Sequence, residues 1–231
     1  MRFTQSGLSL SIALAGFGIF ASLSSAQVIG LSGDNFGYPV SNTDLLQTHL
    51  SAAIVNDLNN IRSEEGATVQ SLAPLTNGSF GPADLSDPSQ VVAIHDGTVI
   101  TYTLDTIASP NGYSISEIDT FSGWRDMGRA RQDYMVAYSL TSDPTTFIPI
   151  ATITDPVYPT APSDNAVYIH GSNGALADNV AAIQFSFPTT QNGYVGYREF
   201  DVLGTPSAAP EPASLSLLGF AALGLLARRR H

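Results

Sequence analysis

Short runs in which apolar and polar side chains alternate fill the middle of the chain. Ile100, Tyr102 and Leu104 alternate with Val99, Thr101 and Thr103; Ile118 and Thr120 alternate with Glu117, Asp119 and Phe121; Tyr134, Val136 and Tyr138 share one face while Met135 and Ala137 share the other. Val167 and Ile169 mark a shorter run, Ile183, Phe185 and Phe187 alternate with Gln184 and Ser186, and residues 194–203 close the series. Successive side chains of a strand point to opposite faces, so each run predicts a strand with one apolar face. Residues 147–153 form a further run, and Pro149, which cannot donate to a ladder, places it at a sheet edge or a bulge.

One segment has a different period. Leu46, Leu50, Ile54 and Leu58 recur every fourth residue, with Asp44 placed to cap and Gln47 three positions later, which predicts a helix over 44–61 packed across one end of the β core. Residues 27–43, rich in Gly, Ser and Asn, read as an irregular lead-in. Asn77-Gly78 is a turn signal, because this pair tolerates positive φ. Short strands separated by Asn-Gly, Asp-Pro and Ser-Pro punctuation indicate an antiparallel sandwich or jelly roll over 44–204. No repeat of solenoid or propeller length recurs.

The two ends follow other rules. Residues 1–26 carry Arg2, an apolar run over 8–23 and small residues up to Ala26, the three-part pattern of a signal peptide with cleavage expected after Ala26 by signal peptidase. Residues 205–231 form a linker, then Pro210-Glu211-Pro212, an apolar run over 213–227, and Arg228, Arg229 and Arg230. As a helix the run would extend roughly 22 Å, short against a hydrocarbon core of about 30 Å, and the triple arginine places its far end in the cytoplasm. Triplet, short apolar helix and basic tail, in that order, resemble the PEP-CTERM sorting signal of Gram-negative bacteria that make exopolysaccharide. The resemblance implies recognition by an exosortase and removal of the tail near the triplet. It also implies membrane contact before that step, and delivery to the cell surface, outer membrane or extracellular matrix. An ordinary C-terminal membrane anchor is the other reading of these residues.

Composition narrows the partners. The 231-residue chain has no cysteine, which removes disulfides, thiolate metal sites and a Cys nucleophile. Outside the two end segments five arginines face nineteen acids, a net charge of about −14, so nucleic acid and anionic membrane surfaces are excluded as partners of the body. His95-Asp96 and His170-Gly171-Ser172 are the places where imidazole meets a partner, and neither has the context of a nucleophile elbow or zinc motif. Paired acids such as Glu64-Glu65 sit at the predicted helix end, where solvation accounts for them. No enzyme activity is read from the chain.

Strand order and anchor segments, LTNGSFG, GTVITYTLD, YSISEIDTFSGW, RQDYMVAYS and GYVGYREFDVLG, resemble the galactose-binding-like jelly roll of discoidin or coagulation-factor type C domains, over about 45–204. The resemblance implies a structural Ca²⁺ between the early turn and the last strand, carried over here to Asn77, Gly78 and Glu199. The family commonly has Asp where this chain has Asn77, and a plain Asn-Gly turn with Glu199 paired to an arginine is the alternative.

The segment 111–139 holds the single Trp and three of the five body arginines. In its loop Trp124 offers a face to a sugar ring while Arg125, Asp126 and Arg129 can bond hydroxyls, a platform for a glycan or exopolysaccharide. The competing reading has Trp124 closing the core edge and Arg129 paired with Asp126 or Asp133. Two functional classes therefore stand: an exported, non-enzymatic carbohydrate-binding module, and a structural matrix protein with no specific ligand.

Overall fold

A computed structural model describes residues 26–33, 38–47, 53–62, 71–81, 90–124, 127–154, 163–172 and 174–209. These form eleven strands, all paired antiparallel: β1 Ala26–Gly33, β2 Ala53–Val55, β3 Ile61–Arg62, β4 Val92–His95, β5 Thr98–Thr103, β6 Tyr113–Trp124, β7 Asp133–Leu140, β8 Asp143–Thr154, β9 Ser163–Gly171, β10 Ala177–Phe187 and β11 Tyr194–Pro206. The pairing resolves into two layers. The front layer runs β2-β5-β10-β7-β8 and the back layer β3-β4-β11-β6-β9-β1. They join at one corner, where Ala177 and Val180 of β10 pair with Ile115 and Tyr113 of β6.

The alternating runs supply the core between the layers. Tyr102, Tyr134, Val136, Ile183, Phe185 and Phe187 of the front layer face Ile118, Ile169, Val195, Tyr197, Phe200 and Val202 of the back layer, all buried. Phe185 stacks on Phe200 with ring centroids 4.7 Å apart, and Tyr197 meets Phe200 edge-on at 5.0 Å. Each such ring taken fully out of water contributes about 1.5–3 kcal/mol. Pro149 stands where sequence placed it: β8 is an edge strand, and its register against β7 breaks between Pro149 and Ala151.

The predicted helix over 44–61 is not present. Residues 42–47 form a bend and turn, and the chain then supplies β2, a short 3-10 turn at Leu58–Asn60, and β3; residues 48–52 lie outside the described part. The reason is local polar competition. Asn56 Oδ1 accepts from the amides of Asp57 and Val99, and Asp57 Oδ1 accepts from the amide of Asn59, bonds that replace a helical ladder. Of the described members of the fourfold stripe only Leu46 is buried; Ile54 and Leu58 are 66% and 58% exposed. Asp44 does bond the amide of Leu46, at 2.8 Å, but as a turn rather than a helix cap.

The lead-in is corrected as well. Residues 26–33 are strand β1, paired with β9 in unbroken register from Ala26↔Gly171 to Gly33↔Asp164, so the sandwich begins ahead of residue 44. A ladder with a partner 138 residues or so downstream satisfies this backbone despite its Gly and Ser content. The signal segment before Ala26, the PEP triplet 210–212 and the tail arginines 228–230 lie outside the described residues. Among the described residues no helix is long and apolar enough to cross a membrane.

Candidate functional site

The β4–β5 and β10–β11 loops and residues 127–132 before β7 gather at one end of the sandwich, where β8 also ends and β9 begins; the chain leaves β11 at the other. Trp124 ends β6 at the loop end. Its ring is 5% exposed, packed on the outer side of the back layer with Val91, Ala93 and Ala130, and edged by Tyr194. Arg129 lies over it, with Cζ 5.7 Å from the ring centroid. A ring covered in this way has no free face for a sugar, so the platform expected from Trp124 loses its aromatic surface. Arg125 and Asp126 lie outside the described residues.

The loop is nonetheless tightly built. Gln132, buried, accepts from the Thr120 hydroxyl at 2.6 Å and donates to the carbonyls of Thr120 and Asn165 at 3.1 and 3.2 Å. The Ala130 carbonyl accepts from Ser122 Oγ and from Asn165 Nδ2, each at 2.6 Å. Two further bonds join it to the β10–β11 loop: the Arg131 amide donates to Gln191 Oε1 at 3.1 Å, and Asn192 Nδ2 donates to the Gly128 carbonyl at 2.9 Å.

Arg131 makes an ion pair with Asp133. Its Nε and Nη2 lie 2.8 and 2.7 Å from the same carboxylate oxygen. The pair borders a cleft of about 200 Å³ where β7 and β8 meet the loop end, lined also by Met135, Thr152, Thr154 and Thr189. Exposed Met135 gives the cleft an apolar patch, while the threonines and the ion pair give it hydrogen-bonding groups. Sequence reasoning passed over Arg131. The signal was present: opposite charges two residues apart at a strand entry share one face.

At the back layer the outer face is roofed by residues 38–47 and 71–81. The amide of Leu45 donates to the Val202 carbonyl at 2.8 Å, that of Ser41 to Asp201 Oδ2 at 2.6 Å, and Arg198 Nη1 to the Phe80 carbonyl at 3.0 Å. Under this roof Asp44, Asp119, Glu199 and Asp201 are all buried. Burial drives Glu199 up to about 9, with Asp201 and Asp44 adding and the Gly78 amide opposing. Burial likewise raises Asp201 to about 7 against the Ser41 amide, and holds Asp119 and Asp44 above the usual carboxylate range.

The calcium expectation falls on this roof. Gly78, at φ +73°, turns its N–H and not its carbonyl toward Glu199 Oε1, 3.1 Å away, and Gln47 Nε2 reaches the same oxygen at 3.3 Å. Asn77 is exposed. N–H donors occupy the oxygen that a hard cation would need. Among the described residues no three acidic or histidine side chains stand close enough to hold a metal together. Among the described residues, the turn at Asn77 and Gly78 thus meets Glu199 with an N–H donor rather than with a carbonyl oxygen.

The histidines are engaged elsewhere. His95 Nδ1 lies 2.9 Å from the Asp96 carbonyl and its ring meets Tyr194 edge-on at 4.7 Å; His170 Nδ1 lies 3.2 Å from Glu117 Oε1.

Residues 208–230 match the PEP-CTERM protein-sorting motif, as the triplet, apolar run and basic tail led us to expect. The motif implies processing by an exosortase and export to the bacterial surface or beyond. No curated protein sequence matches the chain. Among solved structures, the chain is similar to the lectin binding domain of Lectinolysin, in a His 62 mutant complexed with Lewis b, with 11% identity, 74% of this chain and 100% of that one covered, and a TM-score of 0.47. It is similar also to CBM32-1 from a family 31 glycoside hydrolase of Clostridium perfringens (12% identity, 67% and 96% covered, TM-score 0.41). A third is the family 32 CBM from C. perfringens NanJ in complex with galactose (11% identity, 69% and 97% covered, TM-score 0.42).

Proposed function

We propose that this chain is a non-enzymatic carbohydrate-binding module, sorted through its C-terminal motif to the surface or matrix of a Gram-negative bacterium. The observation that carries the reading is the Arg131–Asp133 cleft, where a fixed ion pair and threonine hydroxyls border exposed Met135. A sugar ring has the same mixture, with apolar C–H faces and a rim of hydroxyls that both donate and accept. Arg131 would donate to ring hydroxyls and Asp133 accept from them. Arg125, Asp126 and Arg129, in the same loop, would bond further hydroxyls. Trp124 braces the loop through Arg129.

The acidic body fits a neutral glycan rather than an anionic one. The test is a glycan array followed by calorimetry on the best sugar. Arg131→Ala and Asp133→Asn are each expected to weaken binding by about tenfold or more, the scale of one charge-assisted hydrogen bond. A blank array, or sugar binding untouched by both substitutions, overturns the reading.

A further inference from the structure

We propose that β1 is a self-association edge, through which two copies pair β1 to β1, antiparallel, about a two-fold axis. Four strands end the two layers, and three of them are blunted. β2 and β3 are three and two residues long, and β8 carries Pro144, Pro149 and two breaks in register against β7. β1 has none of these devices. It runs eight residues in continuous register with β9, its only partner among the described residues, and its sequence AQVIGLSG contains neither proline nor a charged side chain. A long, unprotected edge presents a row of N–H and C=O groups ready for another strand.

The side chains point the same way. Seven large apolar residues are exposed among the described residues, and three are on β1: Val28, Ile29 and Leu31, at 41, 48 and 47%. Ile29 and Leu31 lie on one face and Val28 on the other. β1 carries no charged side chain, so pairing through it keeps the contact between two copies narrow and away from the like-charge repulsion that a body of about −14 sets against broader contact. In an antiparallel pair residues of like parity face each other, so the register with Gly30 on the axis sets Ile29 of each copy opposite Leu31 of the other, twice. This makes a closed, isologous contact that continues the back layer across two molecules.

Strand direction then fixes the arrangement of the pair. Gly33 of β1 lies toward the loop end and Ala26 toward the end where β11 leaves, so antiparallel pairing turns the two loop ends in opposite directions. Resting on the carbohydrate reading, such a dimer bridges two glycan-bearing surfaces. Two copies held by their tails in one membrane face the same way and cannot pair so; the dimer belongs to released protein.

The absence of cysteine makes the test direct. The protein purified from culture medium is expected to be a dimer by light scattering, and Ile29→Lys/Leu31→Lys a monomer with an unchanged circular dichroism spectrum. In a single-cysteine scan over 27–32, disulfide-linked dimer is expected to peak at Gly30→Cys and to fall on either side. A monomeric native protein, open-ended polymers, a dimer that survives the double lysine variant, or cross-linking no greater at 30 than at Ile107→Cys each overturns the proposal. Because sugar binding by the monomeric variant is measured separately, failure of the dimer and failure of the carbohydrate reading are distinguishable.

Discussion

Gly196 of β11 lies directly against the indole of Trp124 on β6, so close that a β-carbon at 196 would overlap ring atom Cε3. The missing side chain is what lets the ring lie down on the back layer beside Val91 and Ala93. Gly196→Ala is therefore expected to cost about 1–3 kcal/mol by overpacking, and Trp124→Ala about 3–5 kcal/mol through the cavity it leaves. In urea unfolding the double variant should lose less than the sum, since the alanine at 196 no longer has a ring to meet. Additive losses would show that the two positions do not share this contact.

The loop network separates shape from binding. Gln132→Ala removes an acceptor for Thr120 and two donors to backbone carbonyls inside the fold, and is expected to cost about 1–3 kcal/mol. It should also weaken sugar binding, because the segment that carries Arg131 loses its anchor. Arg131→Ala should weaken binding while changing stability by less than about 1 kcal/mol, as expected for a partly exposed ion pair. Equal stability losses for the two variants would contradict this division of roles.

Much of the sandwich could be read from side-chain alternation, because alternation records burial directly. Tyr102, Val136 and Phe185 all sit where period two puts them, and Pro149 marks an edge because its chemistry allows little else. The fourfold stripe from Leu46 to Leu58 misled because spacing says nothing of what Asn56 and Asp57 bond to. β1 was missed for a related reason: its partner β9 is remote, and nothing local in AQVIGLSG distinguishes a paired strand from a loop. At the loop end, the concentration of Trp and Arg drew attention to the segment that holds the Arg131–Asp133 pair. Which of these groups faces solvent depended on the second layer of contacts from Gly196 and Arg129, and no sequence pattern encodes that.

Calcium offers a test of the roof. The Gly78 amide and Gln47 both donate to Glu199 Oε1, so that oxygen is already bound by N–H groups. The thermal midpoint is expected to be the same in EDTA and in excess calcium. A rise on adding calcium would mean that the turn at residues 77–78 reverses to present its carbonyls, since ligand that binds only the folded state must raise the midpoint.

The buried acids predict how stability depends on pH. An unfolded carboxyl titrates near about 4, whereas burial holds Asp201 up to about 7 and Glu199 up to about 9, with Asp119 raised as well. Below about pH 4 both states hold these protons and their stabilising contribution is intact. As pH rises from there the unfolded chain releases protons that the folded chain keeps, so stability falls until the folded groups ionise in turn. Urea midpoints should therefore be higher near about pH 5 than near about pH 9, the reverse of a protein held by surface carboxylate ion pairs. Glu199→Gln keeps an acceptor for the Gly78 amide and removes one titration. Its pH profile should be flatter than that of the native protein, with an advantage that grows on the alkaline side. Parallel profiles would show that Glu199 does not keep its proton in the fold.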